Sequence, residues 1–259
     1  MKIRRPNIAG QYYNSNPEQL NKEILSFIPK DQPTNIIPRI LISPNSGCVF
    51  SGPVAVKGLS LLPKTINRII IIGSSLHVSF KDISISICDA YETPLGLVSL
   101  ANDDICKLRA MTVIGENNES YDLQDTIEIQ LPYLQVILNK FRFIPMQFGS
   151  ARSPAMISDL LLPLLDKNTA IIISANFSHY LSYEECHKDV DRQIATLLSL
   201  DTNGDISNNN CEVGLRIAMQ IARELKLKAK VIDNRNSYDT APQYGSMERC
   251  VGFLSLAYY

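Results

Sequence analysis

The chain has 259 residues, a formal net charge of −1 and 20% charged residues. A chain of this length buries about 70–75% of the surface its unfolded form exposes, so it needs neither disulfide nor metal to hold a core. Neither sign of charge runs in blocks, which leaves no electrostatic footprint for nucleic acid or an anionic membrane surface. The opening Met1-Lys2-Ile3-Arg4-Arg5-Pro6 has no apolar stretch after its basic residues, so no signal peptide is expected. The longest aliphatic runs, such as Ile69 to Ile72, fall far short of the roughly 20 residues that span a bilayer. A cytoplasmic protein is expected.

Taken in chain order, the pattern predicts a helix over Pro17–Phe27, a strand over Arg39–Ser43, a helix over Pro53–Leu62 and a strand over Arg68–Gly73. A strand over Ile83–Cys88 and helices over Asp103–Ala110 and Ile127–Asn139 follow, then a strand over Phe141–Phe148 and a helix over Pro154–Leu165. The last third reads as a strand (Ala170–Ser174), helices over Tyr183–Leu198 and Val213–Leu225, and strands over Ala229–Ile232 and Cys250–Ala257. Strands alternating with helices indicate βαβ units. The continuous runs Ile69–Ile72 and Ala170–Ile173 are what strands buried on both faces look like. The expected fold is a single α/β domain over residues 1–259, with a mostly parallel central sheet flanked by helices on both faces.

Three predicted strands end in unusual polar sequence: Pro44-Asn45-Ser46-Gly47, Gly73-Ser74-Ser75-Leu76-His77 and Ala175-Asn176-Phe177-Ser178-His179. Ligands of open α/β sheets bind beyond the carboxyl ends of the strands, so these loops predict a pocket. Such loops also need Ser, Gly and Asn for turns and caps. The six cysteines are scattered with no Cys-x-x-Cys pair, and His77, His179 and His187 are the only histidines. Free thiols are expected in a reducing compartment, and three histidines limit any metal or general-base argument.

At these loops the chain resembles the Memo-like family (AmmeMemoRadiSam system protein B). Arg5-Pro6-Asn7-Ile8-Ala9-Gly10-Gln11-Tyr12-Tyr13 is similar to the family's N-terminal motif, and Pro44-Asn45-Ser46-Gly47-Cys48-Val49-Phe50-Ser51-Gly52 to its Pro-His-Ala-Gly segment. Further matches are Gly73-Ser74-Ser75-Leu76-His77, Thr93-Pro94-Leu95-Gly96, Glu128-Ile129-Gln130-Leu131-Pro132-Tyr133-Leu134 and Ile144-Pro145. Ser174-Ala175-Asn176-Phe177-Ser178-His179-Tyr180, Asn236-Ser237 and Val251-Gly252-Phe253 complete a series that spans nearly the whole chain. The resemblance implies a fold similar to the class III extradiol (LigB-like) dioxygenases. It also implies a pocket that, in better-studied members, holds iron or copper through two histidines and a cysteine. AMMECR-like and radical-SAM companions are implied by the family's name.

Carried over residue by residue, the ligand set is altered. The first histidine is Asn45 and the second is Leu76, leaving its neighbour His77. The cysteine corresponds to Cys211, a third pocket histidine to Asp125, and the aspartate of Ser-Asp-x-x-His to Asn176. His179 alone keeps its position and type. The pocket set is thus Asn45, Leu76, His77, Asp125, Asn176, His179 and Cys211. An amide donates little electron density to a soft or borderline metal, and leucine donates none, so no bound metal is expected. A rebuilt iron or copper site would draw on His77, Asp125, His179 and Cys211.

Plainer roles stand beside these. His77 would cap the turn after its strand. His179 and Asn176, three apart, would touch on a helical turn. Asp125 and Thr126 would cap the next helix, with Glu128 completing a capping box. Cys186 and His187 would lie on a solvated helix face with Asp189 and Asp191. Cys211 precedes a helix, where a thiol pKa falls, but Glu212 opposes that. Three functions remain open. One is a non-catalytic or repurposed protein binding a small polar ligand or a protein partner. Another is a non-haem metal-dependent oxidoreductase with a changed ligand set. The last is a metal-free hydrolase or transferase using Cys211 with His179 as its catalytic residues.

Overall fold

The two continuous aliphatic runs, Ile69–Ile72 and Ala170–Ile173, are wholly buried, and the sheet grows outward from them. The computed structural model describes residues 1–31, 35–75, 83–86, 88–111, 114–115, 125–148 and 153–259. Its first strands are β1 (Ile3–Arg4), β2 (Ile40–Ser43), β3 (Arg68–Ser74), β4 (Ile83–Ile85), β5 (Ala90–Thr93) and β6 (Gly96–Ser99). They are followed by β7 (Ile114–Gly115), β8 (Arg142–Phe148), β9 (Thr169–Ser174), β10 (Phe177–Leu181), β11 (Ala229–Asn236) and β12 (Cys250–Tyr258). The helices are α1 (Pro17–Phe27), α2 (Cys48–Leu59), α3 (Asn102–Met111) and α4 (Gln130–Ile137). The remaining four are α5 (Pro154–Leu161), α6 (Tyr183–Ser199), α7 (Glu212–Glu224) and α8 (Ser237–Thr240).

Strands β2, β9, β3 and β8 form a parallel block in that order. Outside it the pairing changes: β4 is antiparallel to β8, and β12 is antiparallel to β2, β10 and β11. The sheet is therefore mixed, with its parallel part at the centre. On β12, Gly252 faces Val190 of α6 and the Tyr258 hydroxyl reaches the Leu197 carbonyl, while Ser255 meets Gly58 of α2. Successive side chains of a strand point to opposite faces, so α2 and α6 cover opposite sides. Strands β1, β5 and β6 make a separate small sheet.

Local chemistry explains where the helices begin and end. Asn16 caps α1, accepting from the amides of Glu18 and Gln19 at 3.0 and 3.1 Å, with Pro17 in the first turn where its missing N–H costs nothing. The helix stops because Ile28 precedes Pro29 and is held extended. Helix α2 starts at Cys48 rather than Pro53, so the proline sits inside it, where it removes one helical hydrogen bond.

The 125–130 turn ties the N-terminus to the strand ends. Glu128 is fully buried, and its carboxylate accepts from the amides of Asn7 (2.9 Å) and Ile8 (3.0 Å), from the Tyr13 hydroxyl at 2.7 Å and from the Arg4 guanidinium. The capping-box expectation is thus corrected, since this side chain reaches a distant segment and α4 begins only at Gln130. Burial, then the Glu128 charge, pushes the Tyr13 hydroxyl well above its usual pKa. Buried Gln130 accepts from Ser43 at 2.8 Å and donates to the Pro44 carbonyl at 2.9 Å and the Ser174 hydroxyl at 3.0 Å. Thr126 donates to the Ser74 carbonyl at 3.0 Å. One short turn therefore holds the carboxyl ends of β2, β9 and β3 together.

Replacing Arg4 by Met keeps volume but leaves Glu128 as a buried charge without its cation. The expected loss is about 3–5 kcal/mol of unfolding free energy, measured by urea denaturation; a change within about 0.5 kcal/mol would show that the pair is not structural.

Candidate functional site

A cavity of about 530 Å³ opens at the carboxyl ends of the parallel strands, and the strand pairing explains why it is there. The C-terminal half of β12 pairs with β2 (Leu256 with Ile42), and its N-terminal half pairs with β10 (Gly252 with Phe177). Between them the edge of β12 is open at Phe253, which lines the cavity. The chain leaving β9 crosses the end of β2 to reach β10, with the Ala175 amide on the Ser43 carbonyl at 2.9 Å. The crossing residue is Asn176.

Three asparagines close a ring there. The Asn45 amide N–H donates to Asn176 Oδ1 at 2.8 Å, the Asn176 amide N–H to Asn210 Oδ1 at 2.8 Å, and Asn210 Nδ2 to Asn45 Oδ1 at 3.1 Å. Asn176 Nδ2 also donates to Ser46 Oγ at 2.9 Å. Asn45 is buried at 4% exposure, and its Nδ2 has no acceptor among the described residues. All three line the cavity with Asp125, His179 and Arg249.

His179 stands on β10 between Ser178 and Tyr180, whose φ angles are +55° and +60°. Left-handed backbone is costly for such residues. It coincides with two register shifts against β12, so the strand bulges on either side of His179. This segment is a strand rather than a helical turn, which corrects the expected Asn176–His179 contact: the Asn176 side chain binds Asn45 and Ser46 instead. Burial lowers the His179 pKa, so the ring is neutral at neutral pH. Buried Asp125 interacts with the Tyr12 hydroxyl, whose pKa rises through burial first and the Asp125 charge second. Tyr12 itself is held by its carbonyl, which accepts from the Cys48 amide at 2.6 Å.

Cys211 takes no part in the cavity wall. It is buried at the N-terminus of α7, its amide bonded to Asn209 Oδ1 at 2.8 Å. Burial outweighs any effect of the helix end and pushes its thiol up to about 12. No hydrogen bond joins it to His179 among the described residues. Leu76 and His77 lie outside the described residues. Cys186 is buried, and His187 Nε2 lies 3.3 Å from Asp239, so this stretch of α6 faces α8 rather than solvent. The sequence reading missed Asn210, Tyr12, Tyr244 and Arg249. The run Asn208-Asn209-Asn210 signalled only a loop, and Arg249 carried no signal.

The donor set can be weighed against a transition metal. Asn45 offers only a neutral amide, a weak donor to such a metal, and Cys211 is buried outside the cavity wall. His179 and Asp125 remain, and no group of three or more His, Cys, Asp or Glu lies together among the described residues. The described residues alone do not fit a transition-metal site, which draws three or four good ligands from the protein.

The polar crevice lies at the carboxyl ends of the parallel strands, where open α/β sheets place their ligand sites. The family model described as Memo-like protein matches residues 4–256. Similar chains include the MEMO1 family protein TV1383 of Thermoplasma volcanium, 30% identical over 98% of this chain and 97% of the relative. The MEMO1 family protein MK0963 of Methanopyrus kandleri is 31% identical over 78% of each. An uncharacterized protein of Escherichia coli K12, JW3007, shares the fold with a TM-score of 0.58 at 11% identity, over 86% of this chain and 100% of that one. The chain belongs to the Memo-like family. Among the described residues, no helix is long and apolar enough to cross a membrane.

At pH 8 iodoacetamide is expected to label exposed Cys106 in the folded protein and to leave Cys211 unmodified until denaturant is added, because a thiol raised to about 12 is protonated there. Peptide mass mapping reads this out; rapid labelling of native Cys211 would contradict its burial.

Proposed function

We propose that this Memo-like protein binds a small polar ligand through a neutral amide pocket and is not a metal-dependent redox enzyme. One observation carries the reading: Asn45, at the position where the family resemblance implies a metal-binding histidine, is a neutral amide in the wall of a polar cavity of about 530 Å³, hydrogen-bonded to Asn176 and Asn210. A neutral amide lining suits a small polar organic ligand better than a transition metal, which seeks imidazole or thiolate donors.

The paired replacements support the same reading. The resemblance matches Asn45 to a histidine and Asn176 to an aspartate, and these two positions are hydrogen-bonded to each other at 2.8 Å. Changing both to amides removes the ligand and the anion together and keeps a satisfied, uncharged pair. A Cys–His hydrolase has less support, because Cys211 is buried and protonated. The reading carries a cytoplasmic location and leaves AMMECR-like and radical-SAM companions as proposals from the family resemblance.

Protein purified without chelators is expected to carry well under one iron, copper or zinc per chain by elemental analysis. Near-stoichiometric metal that is lost in Cys211→Ala would overturn the reading. The double variant Asn45→His, Leu76→His is expected to gain metal-dependent thermal stabilisation that weakens in acid as its imidazoles protonate.

A further inference from the structure

We infer that the ligand of this cavity is a monocarboxylic acid with an apolar body, its carboxylate held at the mouth by Arg249 and by serine hydroxyls. The inference rests on the binding reading above and deepens it. Ser46, Ser237 and Ser246 line the cavity. Each hydroxyl oxygen accepts from the protein: from Asn176 Nδ2 at 2.9 Å, the Val251 amide at 3.1 Å and the Glu248 amide at 3.2 Å, respectively. A hydroxyl carries one hydrogen besides its lone pairs, and none of these three hydrogens has an acceptor among the described residues. The side-chain oxygens of Asn45, Asn176 and Asn210 are each engaged by an N–H of the ring. The hydrogen-bonding capacity left over in the wall is therefore weighted toward donors.

Arg249 supplies the charge. It is exposed, has no carboxylate partner among the described residues, and holds its guanidinium 4.9 Å over the exposed Tyr180 ring. Such a contact positions the group without using up its five N–H donors, whose fork matches a carboxylate. Ser246 and Arg249 are both exposed, whereas Ser237 and Asp125 lie deeper, at 8% and 6% exposure. Asp125 is already engaged, in part by the Tyr12 hydroxyl. Carboxylates repel strongly where the dielectric is low, so the ligand's charge stays at the mouth beside Arg249 and its body points inward. Tyr12, Phe50, Tyr244 and Phe253 give that body apolar surface, and about 530 Å³ lies within the range of small-molecule pockets. A cation of the same shape meets Arg249 on entry and is repelled, and a neutral molecule gains little from the guanidinium.

The test uses the full chain and two acids, phenylacetate and 4-methylpentanoate, each beside its neutral primary amide, with 2-phenylethylamine as the cationic control. Binding is followed at neutral pH by titration calorimetry and by the side-chain amide NMR signals of Asn45, Asn176 and Asn210. At least one acid is expected to bind about tenfold more tightly than its amide, the effect of one charge-assisted hydrogen bond, and to weaken as salt is added. Arg249→Gln should lower that acid to the affinity of its amide and leave the amide unchanged, and Arg249→Lys should recover part of the difference. Ser246→Ala should weaken the acid more than the amide. Both positions are exposed, so the variants should fold, and circular dichroism confirms it. Amides or amine binding as tightly as the acids, or acid binding indifferent to Arg249→Gln, overturns the inference and leaves the binding pocket standing. If none of the five probes gives heat or shifts the asparagine signals, both readings fall.

Discussion

A buried carboxylate cannot exist alone in a protein interior, and the fold of this chain is arranged around satisfying one. Glu128 has no access to water. Four donors from the first thirteen residues replace it, and each fixes a point of the N-terminal segment. That segment would otherwise have little reason to order, because β1 is only two residues long. Held by Glu128 on one side and by the Cys48 amide on the other, it presents Gln11 and Tyr12 to the cavity. Two residues later Gln130 applies the same logic to the strand ends, answering donors and acceptors left over where β2 and β9 stop pairing. The local sequence Glu128-Ile129-Gln130 thus sets the floor and one wall of the site.

The cavity itself follows from a change in strand direction. Parallel strands end together, while β12 runs the other way and must be shared between β2 and β10. The gap between those partners leaves backbone groups without a ladder, and asparagine side chains imitate the missing peptide groups. This explains the ring of Asn45, Asn176 and Asn210: each amide offers a donor and an acceptor, as a strand would. The Asn45 amide keeps an unmet donor because the ring has one fewer acceptor than it needs.

Among the described residues, two of the four non-glycine residues with left-handed backbone flank His179, which lines the cavity. Ser178 and Tyr180 both adopt left-handed backbone, and glycine at either place would relieve it. Backbone of this kind persists where surroundings over-determine it. Here the pairing to β12 on one side and the Ser178 amide bonded to the Asn208 carbonyl at 2.7 Å on the other hold the backbone on both sides of His179.

Sequence pattern alone determined the class of fold, because burial on both faces leaves an unmistakable trace in Ile69–Ile72 and Ala170–Ile173. It determined α1 to the residue, since Asn16, Pro17 and Pro29 are local signals. It also located the strand ends where Asn45 and Asn176 meet. It did not reveal β10 or the polar half of β11, because Phe177–Leu181 and Asp233–Asn236 become strands only by pairing with β12, and no local periodicity records a distant partner. It misread Glu128 as a cap for the same reason: a carboxylate three residues after Asp125 satisfies a nearby amide or one more than a hundred residues away, and the chain writes both the same way. Cys211 stood next to a helix start, which lowers a thiol pKa, but burial raises it and is the larger effect. Only the tertiary structure decided that contest, since desolvation depends on what other segments pack above a side chain.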